Sequence, residues 1–274
     1  MKKTVSVILA LLILLACISC GSANDDQITV ITREASSGTR GAFVDLFGIE
    51  EIIATAEVTQ STTVMMTSVE TNASAIGYIS LGSLNDSVKA LKIDGVEASV
   101  ANIKNGSYKV CRPFNIATMG ERNTLTEDFI KFIMSTEGQA VVEENGYMSK
   151  GNNGTYTAAN TNGKIVVAGS SSVKPLMDKL KEAYVALNPN AIVDIMQSDS
   201  SAGMASVADG LCDIGMASRE LKSSELEKGL TALAIAMDGI AVIVNKNASV
   251  SNLSAEQVKS IYTGEITLWS EFAK

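Results

Sequence analysis

The sequence predicts an α/β protein with an anion site where several helix N-termini converge. Three observations carry that expectation. Three serine-rich turns each separate an apolar strand pattern from a helical one: Ser36-Ser37-Gly38-Thr39, Ser170-Ser171-Ser172 and Ser198-Asp199-Ser200-Ser201. An uncharged stretch of small polar residues over 151–163 divides two α/β halves. With 274 residues, 46% of them apolar, the chain can form one large domain or two lobes of ordinary size with packed cores.

Residues 1–20 read as a leader. Lys2 and Lys3 form a basic start, and 5–16 is an apolar run too short to span a bilayer, so the segment reads as a secretory signal. Leu14-Leu15-Ala16-Cys17 resembles the bacterial lipobox, which makes Cys17 the expected lipidation site. Cys20 is the alternative, and an ordinary cleaved signal is the plainer reading of the same residues. Residues 21–26 are a short polar tether.

The first half then alternates strand and helix. Residues 28–31 read as a strand and 41–47 as a helix start. A strand at 56–60 is followed by a helix at 62–71, with Val64, Met65, Ser68 and Val69 on one face. Residues 75–80 form a buried strand, and 88–93 another that ends at the Asp94-Gly95 turn. The stretch 110–117, with Pro113, reads as an extended crossover. Leu125, Phe129, Phe132 and Ile133 mark an amphipathic helix that continues, broken at Gly138, to Asn145-Gly146.

After the 151–163 linker, 164–168 is a strand. Val173, Leu176, Met177, Leu180, Tyr184 and Leu187 recur at helical spacing, and Asn188-Pro189-Asn190 stops that helix. Residues 192–196 are a strand, 203–208 a short helix, and 213–218 a strand with Arg219 at its end. The long apolar run 232–244, with Asp238-Gly239 inside it, suits a strand crossing between lobes. A helix over 253–262 precedes Gly264 and Trp269.

The three serine turns have the chemistry of an anion site. The first turn of a helix leaves backbone N–H groups without internal partners, and the helix dipole adds positive charge there. Ser37 and Thr39 bring hydroxyl donors, Gly38 allows close backbone approach, and Arg33 brings a bidentate fork. Taken singly, each turn is an ordinary helix cap; three in one chain point to one shared anion. The net charge of −8 and the lack of a basic run interleaved with aromatics exclude nucleic acid as a partner class. The chain has no histidine, so the commonest general base and metal ligand are missing. Cys111 and Cys212 show no metal-ligand spacing and read as small buried residues, with a disulfide as the alternative. No cofactor and no metal are expected.

The motifs Gly169-Ser170-Ser171-Ser172, Asp199-Ser200-Ser201-Ala202-Gly203, Asp213-Ile214-Gly215-Met216-Ala217-Ser218-Arg219, Asp238-Gly239-Ile240-Ala241-Val242 and Ile261-Tyr262-Thr263-Gly264-Glu265-Ile266-Thr267-Leu268-Trp269 are familiar together. With Arg33-Glu34-Ala35-Ser36-Ser37-Gly38-Thr39 they resemble the phosphate-binding proteins of bacterial phosphate ABC transporters. The resemblance implies an α/β, two-lobed periplasmic-binding-protein-like fold (type II) that closes around a ligand in its cleft. It implies phosphate contacts at Arg33, Ser37, Gly38, Thr39, Ser171, Ser172 and Ser200. Two positions depart from the family: Arg219 and Ala35 stand where an aspartate is common. Arg219 is expected either to clamp an anion oxygen or to make a surface salt bridge.

The order of the halves departs as well. In that family the segment like 164–274 comes first, so this chain reads as circularly permuted, a tandem fragment being the alternative. One lobe is then 25–109 with 244–274, carrying Arg33 and Ser37-Gly38-Thr39. The other is 110–243, carrying Ser171, Ser200 and the linker. The resemblance implies an extracytoplasmic, membrane-anchored lipoprotein, monomeric and non-catalytic. It would bind inorganic phosphate and deliver it to an ABC transporter permease. A receptor for sulfate or another tetrahedral oxyanion is the near alternative. A phosphate-ester hydrolase and a non-binding signalling or adhesion module are the distant ones, and the hydrolase lacks an evident base or metal cluster.

Overall fold

The computed structural model describes residues 26–272. The leader, Cys17 and Cys20 lie outside the described residues.

The chain opens with strand β1 (Thr29–Arg33), helix α1 (Gly38–Phe47), β2 (Glu57–Thr59), α2 (Thr62–Thr71) and β3 (Ala75–Ser80). Strand β1 pairs in parallel with both β2 and β3, so the helices serve as crossovers. Helix α1 starts at Gly38, three residues earlier than its apolar pattern indicates, because Ser37 caps it. The Ser37 Oγ accepts from the Arg40 N–H at 3.3 Å. In α2 the buried residues are Thr62, Met65 and Val69, while Val64, expected on the same face, is exposed. Strands β4 (Val88–Ala90) and β5 (Lys92–Ile93) and helix α3 (Val100–Lys104) lead to β6 (Cys111–Met119).

Helices α4 (Thr124–Ile133) and α5 (Thr136–Glu144) replace the one long amphipathic pattern. The break falls at Met134 and Ser135, not at Gly138. Ser135 both donates to the Phe132 carbonyl at 2.7 Å and accepts from the Gly138 N–H at 3.1 Å, so it ends one helix and caps the next. Strand β7 (Met148–Ser149) precedes the linker. The second half holds β8 (Gly163–Ser170), α6 (Lys174–Leu187), β9 (Ala191–Ser198), α7 (Ser200–Ala208), β10 (Ile214–Ala217), α8 (Ser223–Leu226), β11 (Leu230–Asn245), β12 (Asn252–Leu253) and α9 (Ala255–Thr263). Leu187, at the end of the helical face of α6, is exposed.

The main sheet runs β2-β1-β3-β11-β6-β10-β8-β9, with β4 and β7 also pairing to β11. Strand β11 joins its two parts. Leu230 to Gly239 pair with β6, and Ile240 to Val244 pair with β3. Each part covers its own core. One core packs Ile31, Phe43, Met65, Tyr78, Ile243 and Tyr262, with Phe43 stacked on Tyr78 at 4.0 Å. The other packs Phe114, Phe129, Phe132, Val167, Leu176 and Tyr184. Val110 and Ile240 to Ile243 lie in the first core. The lobes therefore meet at Val110–Cys111 and Gly239–Ile240, where the Ile240 N–H donates to the Val110 carbonyl at 2.8 Å. The division expected at 109/110 and 243/244 places Val110 and 240–243 in the other lobe, whereas their side chains pack into the first core.

The 151–163 stretch has no regular secondary structure up to Gly163, yet it is pinned to the second lobe. The Tyr156 hydroxyl donates to Asp128 at 2.6 Å and accepts from Asn188 at 2.8 Å, while its ring meets Phe132 edge-on. At the other pole, the chain's described ends adjoin. The Trp269 N–H donates to the Asp26 carbonyl at 2.8 Å and the Ser270 N–H to the Asp26 carboxylate at 2.7 Å. Cys111 and Cys212 are both free thiols. No described helix is long and apolar enough to cross a membrane.

Candidate anion-binding site

Five chain turns bring polar groups to one point between the lobes. From the first lobe come Arg33 at the end of β1, Gly38 and Thr39 in the first turn of α1, and Thr62 in the first turn of α2. From the second come Ser170 to Ser172 after β8, Ser200 in the first turn of α7, and Ser218 after β10. All are buried.

The contacts cross the interlobe boundary. Arg33 Nη2 donates to Ser171 Oγ at 3.2 Å. Thr39 Oγ1 lies 2.8 Å from Ser172 Oγ and 3.3 Å from Ser218 Oγ, and Thr62 Oγ1 lies 3.0 Å from Ser172 Oγ. Ser200 Oγ is 3.4 Å from Ser218 Oγ and accepts from the Ser218 N–H at 3.1 Å. Ser170 Oγ accepts from the Ser172 N–H at 3.3 Å and donates to Ser218 Oγ at 3.0 Å. Where a hydroxyl already accepts, its own proton is left to donate. The helix N-termini of α1, α2 and α7 add backbone N–H groups and dipole charge. The arrangement is donor-rich and buried, which suits a small oxyanion.

The sequence-derived residues divide. Arg33, Gly38, Thr39, Ser171, Ser172 and Ser200 come together. Ser37 sits beside them as the cap of α1 and lines a cavity of about 530 Å³ in the cleft. Arg219 also lines that cavity, and its fork goes to Glu225 at 2.8 and 2.7 Å, with a further bond to Ser201 at 3.3 Å. Arg219 is buried and Glu225 nearly so, where the second of its two readings expects a salt bridge at the surface. Burial pushes the Glu225 carboxyl up, but hydrogen bonds from Arg219 and the Lys222 N–H carry it below the usual carboxylate range. Arg33 has its own carboxylate: Nε and Nη2 donate to Glu34 at 2.8 and 2.6 Å.

Three participants escaped the sequence reading. Ser218 stands at the centre of the hydroxyl cluster; its signal was its place directly after the 213–217 apolar run, the same strand-end position as the other serines. Thr62 follows the Ser61 cap as Thr39 follows Gly38. Arg112 donates from Nη2 to Thr39 Oγ1 at 3.1 Å, and only the pairing of β6 with β11 reveals it.

The chain matches the model of the PBP superfamily domain over residues 17–137 and 154–274. It is 53% identical over 264 residues to phosphate-binding protein PstS 2 of Streptococcus agalactiae serotype V, covering 92% of this chain and 90% of that one. It is 45% identical over 254 residues to the PstS 2 of Streptococcus pneumoniae serotype 4, covering 89% and 87%. The crystal structure of a phosphate-binding protein of a phosphate ABC transporter from Streptococcus pneumoniae TIGR4 superposes with a TM-score of 0.71 at 45% identity, covering 89% of this chain and 99% of that one. The two-lobed α/β fold, the buried donor cluster between its lobes and these similarities place the chain in the PBP superfamily, among the phosphate-binding proteins of phosphate ABC transporters.

Proposed function

We propose that the chain is a non-catalytic extracytoplasmic receptor that binds inorganic phosphate between its lobes and passes it to the permease of an ABC transporter. The observation that carries this reading is the convergence of Arg33, Thr39 and Thr62 from one lobe with Ser171, Ser172, Ser200 and Ser218 from the other. An anion in that cluster accepts from both lobes at once, so it favours the closed state over the open one. The names of the PstS 2 relatives agree with it. The family is one of binding proteins, and the serines act as donors to the ligand. We take Cys17, with Cys20 as the alternative, to anchor a monomeric receptor to the membrane by a lipid. The order of the halves is read as a circular permutation. The adjoining of Asp26 with Trp269 and Ser270 supports it.

Titration calorimetry with phosphate and with sulfate tests the function. Phosphate binds the unmodified chain, and Arg33→Ala lowers its affinity by about a hundredfold or more, since a desolvated charge-assisted contact is worth roughly 3 kcal/mol. An affinity within about threefold of the parent removes Arg33 from the site. One feature favours sulfate as a second reading. The carboxylates flanking the cluster, Glu34 and Glu225, are both engaged by arginines, so an acceptor for a phosphate proton is not set apart. Equal affinities for the two anions would support it.

A further inference from the structure

The two strands that carry the chain between lobes place a buried ion pair behind the site. Arg112 of β6 and Asp238 of β11 are cross-strand partners in the ladder, one strand-length step from the lobe boundary. They are 2% and 1% exposed. Arg112 Nη2 lies 3.1 Å from Asp238 Oδ2, and the Ser80 hydroxyl holds Asp238 Oδ1 at 2.9 Å. A buried pair of this kind is weak as a source of stability, because desolvation offsets the attraction. Its geometry is better explained by what it does to Thr39.

Arg112 Nη2 also donates to Thr39 Oγ1 at 3.1 Å. A guanidinium has no acceptor, so the Thr39 oxygen must accept. The single Thr39 proton is then directed away from Arg112. The other hydroxyl neighbours of Thr39 are Ser172 and Ser218, at 2.8 and 3.3 Å. An unprotonated anion oxygen accepts hydrogen bonds, so a threonine whose proton is already set to donate costs nothing to reorient when the ligand arrives. Arg112 Nε and Nη1 are buried with no hydrogen-bond partner among the described residues, so the guanidinium retains donor capacity and charge beside the cluster. Its ring neighbour Phe114, 5.4 Å from the guanidinium carbon, restricts it from the other side.

We propose that Arg112, held in place by Asp238, is a positioning residue that fixes Thr39 as a hydrogen-bond donor to the bound anion. This rests on the phosphate reading above. It makes the crossover strands part of the binding machinery and not only a hinge.

The test is a set of phosphate titrations on the full chain, with thermal unfolding of each variant. Arg112→Met weakens phosphate binding by about tenfold or more, and Arg112→Lys, which still donates, recovers most of the loss. In a Thr39→Val background, Arg112→Met costs less than about threefold, because the effect runs through the hydroxyl it lacks. Asp238→Asn, which loosens the hold on Arg112, weakens phosphate binding by about threefold or more. Arg112→Met within about threefold of the parent, or an undiminished loss in Thr39→Val, overturns the proposal. If Arg112→Met does not fold, Asp238→Asn decides, and an unchanged or tighter affinity there overturns it. Should the parent bind sulfate and not phosphate, the phosphate reading falls and the same comparisons are read with sulfate. A parent that binds neither removes both.

Discussion

Gly38 stands where the lobes touch most closely. A Cβ there would overlap Ser200 and lie 2.9 Å from Ser218 Oγ. In isolation, alanine would favour the first turn of α1 by up to about 1 kcal/mol. Across the cleft it would block closure. Gly38→Ala is therefore expected to weaken phosphate binding by about tenfold or more while leaving the ligand-free melting temperature within a few degrees of the parent, a split that calorimetry and thermal unfolding together would show. Asp238 gives a second residue-scale expectation. Burial raises its pKa to about 6 despite the Arg112 charge, the Ser80 hydrogen bond and the backbone N–H groups of Gly82 and Leu81. Its folded pKa lies above its unfolded value, so the folded state holds the proton more tightly. The contribution is fully present below the unfolded value near 4 and is lost as pH rises through about 6. The stability of the parent relative to Asp238→Asn should fall by about 2 kcal/mol from pH 4 to pH 7 and stay level above that, as read by denaturant unfolding across pH. A level difference from pH 4 upward would mean an ordinary carboxylate. Arg33 and the first serine turn were legible because strand, small residues and helix stand together in sequence. Arg112 was not, because its partners Thr39 and Asp238 are far apart in sequence and only the β6–β11 register brings them to it.

At the scale of the element, helix α7 depends on a contact between two backbones. A Cβ on Gly203 would lie 2.6 Å from the Gly169 Cα and 2.8 Å from the Ala168 carbonyl oxygen. Gly169 itself has a φ of 136°, a conformation suited to glycine. The helix can therefore sit directly on β8, which carries Ser200 to the end of the strand that carries Ser170. Gly203→Ala is expected to destabilise the chain by about 1–3 kcal/mol, since the obstruction is backbone and cannot rotate away. It should also weaken phosphate binding by displacing Ser200. Denaturant unfolding checks the first effect, and a variant as stable as the parent would show that α7 shifts freely. Most elements were legible from period alone: the 62–71 helix and the 75–80 strand match in extent. The boundary between α4 and α5 was not, because the apolar face runs through it. Ser135 is a cap only once the Phe132 carbonyl and Gly138 N–H turn toward it. Position Val64 failed for a related reason: α2 packs β1, β3 and β11 with a narrow stripe through Thr62, Met65 and Val69, leaving Val64 outside it.

At the scale of the molecule, each lobe has its own core and the two share a strand pair. The described ends meet beside Trp269, whose indole N–H donates to the Ser74 carbonyl at 3.0 Å. The linker, expected to be a loose span, is fastened through Tyr156 to Asp128 and Asn188. Its composition signalled an interruption; its attachment depends on a single tyrosine that composition does not weigh. Joining Ser270 to Asp26 through a short peptide and opening the chain within 157–160 should give a folded monomer with the phosphate affinity of the parent. Light scattering and calorimetry check it. Failure to fold as a monomer would favour exchange of halves between chains.

Strand β11 also sets how such a molecule can move. One 16-residue ribbon is laced to β6 along its first part and to β3 and β4 along its second. A joint of this kind flexes as a leaf spring and not as a loose pin. Opening twists a hydrogen-bonded ladder, so the lobes have a resting angle, a restoring torque and few independent ways to swing. The register shift between Ala234 and Ala236 lies in the β6 ladder, on the second-lobe side of that joint. The release of cargo would then follow one mechanical mode, stiff enough that a push on either lobe is felt at the other.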